Sequence, residues 1–228
     1  MSDVLQNQIA YYRARAQEYD EWFYRQGSYD RGEALNQQWQ QEAQIVRDQL
    51  LDTPTIPHIV EMAGGTGIWT QELIKISDHV TVLDASPEMI EINRAKVQSD
   101  KATYQLVDLF QWQPEQPVDM VFFGFWLSHV PKEKLSPFLT MVHRALKPNG
   151  RLFFVDSQKV QTGTSTRQNI KTTNDIQKRV LNDGSEFEII KIYYDHNDLT
   201  QVLNAHGFDV TVQTTPTFFI YADGKKAN

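Results

Sequence analysis

The chain has 228 residues, enough for one domain with a full core, and its 40% hydrophobic and 22% charged residues exclude a collagen-like, low-complexity or wholly disordered polypeptide. Lys and Arg number 22 against 29 Asp and Glu, and the resulting formal charge of −7 repels phosphate backbones, so small molecules are expected as partners over nucleic acid. The absence of cysteine excludes disulfides, thiolate zinc sites, Cys-ligated iron–sulfur clusters and cysteine nucleophiles.

No basic stretch followed by an apolar run opens the chain, and 18 apolar residues never occur together, so a cytoplasmic protein without a membrane span is expected. Residues 11–24 are dense in aromatics, and Leu35, Trp39, Glu42 or Ala43, Val46 and Leu50 then recur at helical spacing. From Thr53-Pro54 onward, short apolar runs at 56–62, 80–83, 104–107, 118–125 and 152–155 alternate with helical patterns at 68–76, 87–97 and 135–146. That alternation predicts parallel strands with crossover helices, an open α/β sheet. Ser86-Pro87 and Ser136-Pro137 each read as a capping hydroxyl before a first-turn proline, and Lys147-Pro148-Asn149-Gly150 as a helix end before the next strand. Residues 156–185 form a long polar excursion with one expected helix near 175–181, in the manner of a lid or binding loop. A strand at 187–194, a helix stopped by Gly207 and a hairpin of 208–212 with 217–221 complete the expected order.

The most informative segment is Glu61-Met62-Ala63-Gly64-Gly65-Thr66-Gly67, a strand ending in a glycine-rich turn that lets the backbone approach a nucleotide-like ligand. A dinucleotide fingerprint laid on Gly65 and Gly67 fails at Thr70, where a third small residue belongs. Asp84 closes the second strand, where a carboxylate accepts from both ribose hydroxyls of either NAD or S-adenosylmethionine.

Six ordered elements between residues 12 and 152 then resemble the class I S-adenosylmethionine-dependent methyltransferases. Glu61 to Gly67 is similar to E/D-x-G-x-G-x-G, with Ala63 in place of the first glycine, and Asp84-Ala85-Ser86-Pro87-Glu88-Met89 is similar to D-x-S-x-x-M. Leu106-Val107-Asp108-Leu109 resembles the third-strand motif, Asp119 through Leu127-Ser128-His129 the fourth-strand motif, and Leu146-Lys147-Pro148-Asn149-Gly150 the L-K-P-G-G turn, with Asn149 in a glycine slot. The segment from Tyr12 to Tyr19-Asp20 is similar to the first helix of small-molecule members.

The resemblance implies a Rossmann-like, open, mostly parallel seven-stranded sheet flanked by helices, within a single domain spanning 1–228. Its parts are a helical lid segment (1–52), a cofactor-binding core (53–156), and a cap insertion after the fifth strand with closing strands (157–228). S-adenosylmethionine is the implied cofactor, S-adenosylhomocysteine the product, and no metal is implied. Gly64, Gly65 and Gly67 are expected under the methionine part, with Glu61 at its amino end and Gly124 and Phe125 completing that pocket. Asp84 is expected on the ribose, Met89, Asp108 and Leu109 around the adenine, and Tyr12 on the cofactor. Tyr11, Arg15, Tyr19, Trp22, Tyr29, Lys191 and Tyr193 are expected to line the acceptor, and His129 to line it or act as general base. Transfer by in-line displacement to O or N of a small molecule, driven by proximity, is the expected function. An RNA or protein acceptor is disfavoured by the charge, by Phe123-Gly124-Phe125-Trp126 where N/D-P-P-Y/F would stand, and by the missing cysteine; DNA and membrane partners are not expected. An NAD(P)-dependent oxidoreductase and a non-catalytic cofactor-binding protein are the alternatives.

Overall fold

Three α-helices and two 3-10 turns lead into the sheet of the computed structural model, which describes residues 3–167 and 175–227. Helix α1 (Asp3–Arg15) gives way to a 3-10 turn (Ala16–Glu18), then α2 (Tyr19–Phe23), a second 3-10 turn (Gly27–Tyr29) and α3 (Glu33–Leu51). The apolar stripe of α3 is buried through Trp39, Ala43, Val46 and Leu50. Glu42 on the same face accepts from the Thr217 and Phe218 N–H groups and the Thr215 hydroxyl, which ties α3 to the closing hairpin.

The core follows as β1 (Ile56–Met62), α4 (Thr70–Leu73), β2 (Ser77–Asp84), α5 (Pro87–Val97), β3 (Ala102–Leu106), β4 (Val118–Gly124), α6 (Lys132–Ala145) and β5 (Leu146–Ser157). After it come β6 (Ile176–Val180), β7 (Glu186–Ile190), α7 (His196–Ala205), β8 (Phe208–Thr214) and β9 (Phe219–Lys226). Strand order in the seven-stranded sheet is β3-β2-β1-β4-β5-β9-β8. Strands β1 to β5 pair in parallel, whereas β9 runs antiparallel to both β5 and β8. Central strands are apolar without alternation because both faces are covered. Phe123 and Phe154 stack at 5.0 Å on the face holding α6 and α7, and Phe122 and Phe153 at 6.0 Å on the opposite face.

Several local expectations are corrected. The helix expected near 175–181 is strand β6, paired antiparallel with β7 across Asn182-Asp183-Gly184, where Gly184 has φ 87°. Cross-strand pairing there overrides the helical tendency of the Gln-Lys-Arg run. Strand β7 ends at Ile190, four residues short of the expected limit: the Lys191 N–H still bonds across the hairpin to the Asp175 carbonyl, but that of Ile192 turns away to the Ser128 carbonyl. Helix α6 starts at Lys132, so Pro137 lies inside it and the Ser136 hydroxyl bonds His206 instead of capping. Lys147–Gly150 falls within β5 as a bulge, where the register jumps from Val118 opposite Leu146 to Met120 opposite Arg151 and Asn149 takes φ 59°. The 68–76 helix shrinks to the four residues of α4. Residues 168–174 of the expected excursion lie outside the described residues. No helix among the described residues is long and apolar enough to cross a membrane.

Candidate active site

Chain order reverses between β1 and β4, and an open α/β sheet has its ligand crevice beyond the carboxyl ends of such strands. A cavity of about 790 Å³ occupies that position. Of the residues expected at a cofactor, Tyr12, Gly65, Asp84, Met89, Asp108, Leu109, Gly124 and Phe125 line it. Glu61 and Gly64 line an adjoining recess of about 290 Å³ that shares Gly65, Gly124 and Phe125 with the larger space. Gly67 lines neither: a Cβ there would stand 2.7 Å from Asn93 Oδ1, so its contribution is the close approach of α5.

The turn is held by hydrogen bonds to Asp84, whose Oδ2 accepts from the Gly65 N–H and Oδ1 from the Ser86 N–H, both at 2.9 Å. Ala63, standing in the first glycine slot, takes φ 54°. Burial pushes the Glu61 carboxyl up to about 8 against the opposing hydrogen bond from Thr70 Oγ1, and the nearby Asp84 charge adds to the rise. A ligand bearing an ammonium group and indole-bonding acceptors meets three features of this pocket. The Glu61 carboxyl is buried without a cation among the described residues that bond it, and Trp69 and Trp126, which line the two spaces, have buried indole N–H groups without a hydrogen-bond partner among the described residues. Gly124 leaves room that a Cβ would close, 2.7 Å from Trp69 Cδ1.

A second cavity, about 590 Å³, shares Tyr12, Tyr19, Phe125 and His129 with the first. Arg15, Trp22, Tyr29, Lys191 and Tyr193 line it, as do Arg179 from β6, Ser157 at the end of β5, and Gln158 and Thr164 from the segment that follows. No aspartate or glutamate among the described residues does so. The Arg15 guanidinium lies 4.8 Å from the Tyr19 ring centroid and donates to the Tyr29 hydroxyl at 3.2 Å, while its buried Nε has no hydrogen-bond partner. Arg179 donates to Thr164 Oγ1, and Lys191 Nζ to Ser128 Oγ at 2.7 Å and to Asp156 at 3.2 Å, behind the lining. Tyr11 is not brought to this cavity but packs with Leu181, Ile189 and Phe187 beneath the β6–β7 hairpin. Sequence reasoning missed Arg179 because its run read as helix; the alternation that points Gln177 and Arg179 to one face, with the Asn-Asp-Gly turn after it, is the signal that finds it.

His129 sits at the seam. Its Nδ1 lies 2.6 Å from the Ile190 carbonyl, which only accepts, so Nδ1 carries the proton and Nε2 accepts from the Tyr12 hydroxyl at 2.8 Å. Burial pushes the imidazole well below its ordinary value, helped by the Lys191, Arg179 and Arg15 charges, and burial raises the Tyr12 phenol. Both groups are therefore neutral near pH 7.

Residues 59–150 match the methyltransferase-domain family. The DhpI-SAM-HEP complex is 31% identical over 98% of this chain and 98% of that one, with a TM-score of 0.81. This chain belongs to the class I S-adenosylmethionine-dependent methyltransferases. The related DhpI-SAH complex superposes with a TM-score of 0.80 at 30% identity, covering 98% of this chain and 97% of that one. Demethylmenaquinone methyltransferase of Leptospira interrogans serogroup Icterohaemorrhagiae is 34% identical over 113 residues, 46% of this methyltransferase and 44% of the relative. The match thus spans less than half the length of that curated relative.

Proposed function

We propose that this methyltransferase moves the methyl group of S-adenosylmethionine to an oxygen of a small oxoanion, with the cofactor in the larger cavity and the acceptor in the second. One observation carries the reading: the cavity sharing the Tyr12, Tyr19, Phe125 and His129 wall is lined by Arg15, Arg179 and Lys191 and by no carboxylate among the described residues. Guanidinium and ammonium groups withdrawn from water bind carboxylate, phosphate or phosphonate oxygens with short charge-assisted hydrogen bonds, and they oppose a protonated amine. The DhpI-SAM-HEP complex, in which a similar protein holds two small molecules together, supports a two-ligand arrangement.

The sulfonium supplies an activated methyl group. The chain's own residues bind, align and exclude water, and alignment of two bound reactants is worth about 7–11 kcal/mol of barrier. Glu61 and Asp84 are the assigned anchors for the cofactor's ammonium and ribose, while Asp108 and Leu109 border its adenine. Trp22, Trp39 and Phe218 close the far side of the acceptor cavity. An oxoanion arrives without a proton to lose, so no base is required. His129, neutral and bonded through both ring nitrogens, fixes the Tyr12 phenol at the seam.

Calorimetric titration with inorganic phosphate tests the acceptor class. Wild-type protein is expected to bind it, and Arg15→Gln to weaken binding by about tenfold or more, in line with charged hydrogen bonds of about 1.5–3 kcal/mol. Equal phosphate affinity in the two proteins contradicts the reading.

A further inference from the structure

Among the described residues, the charge lining the acceptor cavity has a single sign, and Tyr12, Tyr19, Phe125 and His129 form a wall it shares with the cofactor cavity. Arg15, Arg179 and Lys191 supply cations, His129 is neutral, and Asp156 stands 3.2 Å behind Lys191 rather than in the lining. The methyl donor and its product differ at this seam by one positive charge, a sulfonium against a thioether. Resting on the oxoanion reading above, we infer that acceptor occupancy controls which form of the cofactor the protein prefers. With the acceptor cavity free of anion, its cations disfavour the sulfonium relative to the thioether. A seated oxoanion reverses that preference, and by linkage the sulfonium strengthens oxoanion binding by the same factor.

The chemical step removes the attraction that assembled it. An oxygen lone pair forms the new O–C bond, and the electron pair of the breaking C–S bond stays on sulfur. The sulfonium charge and one oxoanion charge vanish together, and no proton is released. The two products are then held side by side by less than the two reactants were, which favours their departure.

A second form of coupling runs through the backbone and must be told apart from charge. Gln8 of α1 faces the cofactor cavity, accepts from the Ile190 N–H of β7 at 3.0 Å and donates to the His129 carbonyl at 3.2 Å, so the covers of the two cavities are joined. Coupling through that joint acts on sulfonium and thioether alike.

The test is calorimetric titration at one pH and matched ionic strength, with and without saturating inorganic phosphate, of S-adenosylmethionine, S-adenosylhomocysteine and sinefungin, an unreactive analogue with an amine near the sulfonium position. Phosphate is expected to raise the affinity for the two cationic ligands by about tenfold or more and for S-adenosylhomocysteine by less than about threefold. In Arg15→Gln, with retained S-adenosylhomocysteine binding as the check on folding, S-adenosylmethionine binds more tightly without phosphate and gains less from it. Equal gains for all three ligands overturn the inference in favour of the Gln8 joint. Phosphate that binds but changes no cofactor affinity overturns it as well. Phosphate that does not bind at all removes the oxoanion reading, and this inference with it.

Discussion

The Tyr12 hydroxyl and His129 Nε2 are joined by a 2.8 Å hydrogen bond at the boundary of the two cavities, and the opposite ring nitrogen is fixed by the Ile190 carbonyl. An imidazole held in this way positions a phenol and has no free lone pair for substrate. His129→Gln is expected to lower kcat by about tenfold to a hundredfold through misalignment. The shape of the pH–rate profile is expected to stay the same. A wild-type ascending limb between pH 6 and 8 that His129→Gln abolishes would restore the general-base role.

The same burial has a stability consequence. The folded imidazole titrates well below its ordinary value of 6.5, so as pH falls below about 6.5 the unfolded chain takes up a proton first and the folded state loses stability. Above that range His129 contributes no pH dependence. Thermal melts of wild type and His129→Gln are therefore expected to diverge at pH 7, converging as pH is lowered to 5.5.

Glu61 behaves with the opposite sign. Its carboxyl titrates near 8 in the folded protein against an ordinary 4.5, so between those values the folded state keeps a proton that the unfolded state has lost. Stability of the ligand-free protein falls as pH rises through this window and levels off above it. An ammonium placed against Glu61 lets it ionise, so S-adenosylhomocysteine affinity is expected to rise by up to about tenfold per pH unit between pH 6 and 7.5, with proton release. Calorimetry in buffers of different ionisation enthalpy counts that proton, and Glu61→Gln is expected to abolish it.

Ala63 stands at φ 54°, where a Cβ is strained and glycine is not. Ala63→Gly is expected to leave the melting temperature unchanged or raise it, because relief of about 1 kcal/mol offsets the added freedom of the unfolded chain. Gly124→Ala is expected to act the other way. Its Cβ would meet the Trp69 ring at 2.7 Å and push it into the cofactor recess, weakening S-adenosylhomocysteine binding in calorimetry.

Much of this site was legible in the sequence because it lies on short, local signals. A glycine-rich turn after one strand and an acidic residue closing the next fix their own places at the carboxyl edge of a parallel sheet. Ala63 and Asn149, the two departures from the glycine pattern, both adopt the left-handed backbone that the pattern demands. The second cavity, proposed for the acceptor, was harder to read because it is assembled from distant segments. Arg15 and Arg179 are separated by most of the chain, and only the packing of the β6–β7 hairpin over α1 brings them to one cavity. Tyr11 shares the composition of its neighbours but faces the hairpin, since it is Tyr12 and Arg15 that α1 turns toward the cavities.

The most direct test of the central claim is to incubate the protein with S-adenosylmethionine carrying a labelled methyl group and a mixed panel of small carboxylates, phosphonates, phosphate monoesters, phenols and amines, and to identify the labelled product by mass spectrometry. Label is expected on an oxygen of an oxoanion, as the methyl ester of a carboxylate, phosphonate or phosphate located by fragmentation, with formation depressed in Arg15→Gln at undiminished S-adenosylhomocysteine affinity. Label carried on nitrogen or carbon of an uncharged acceptor, formed equally well by Arg15→Gln, would contradict it.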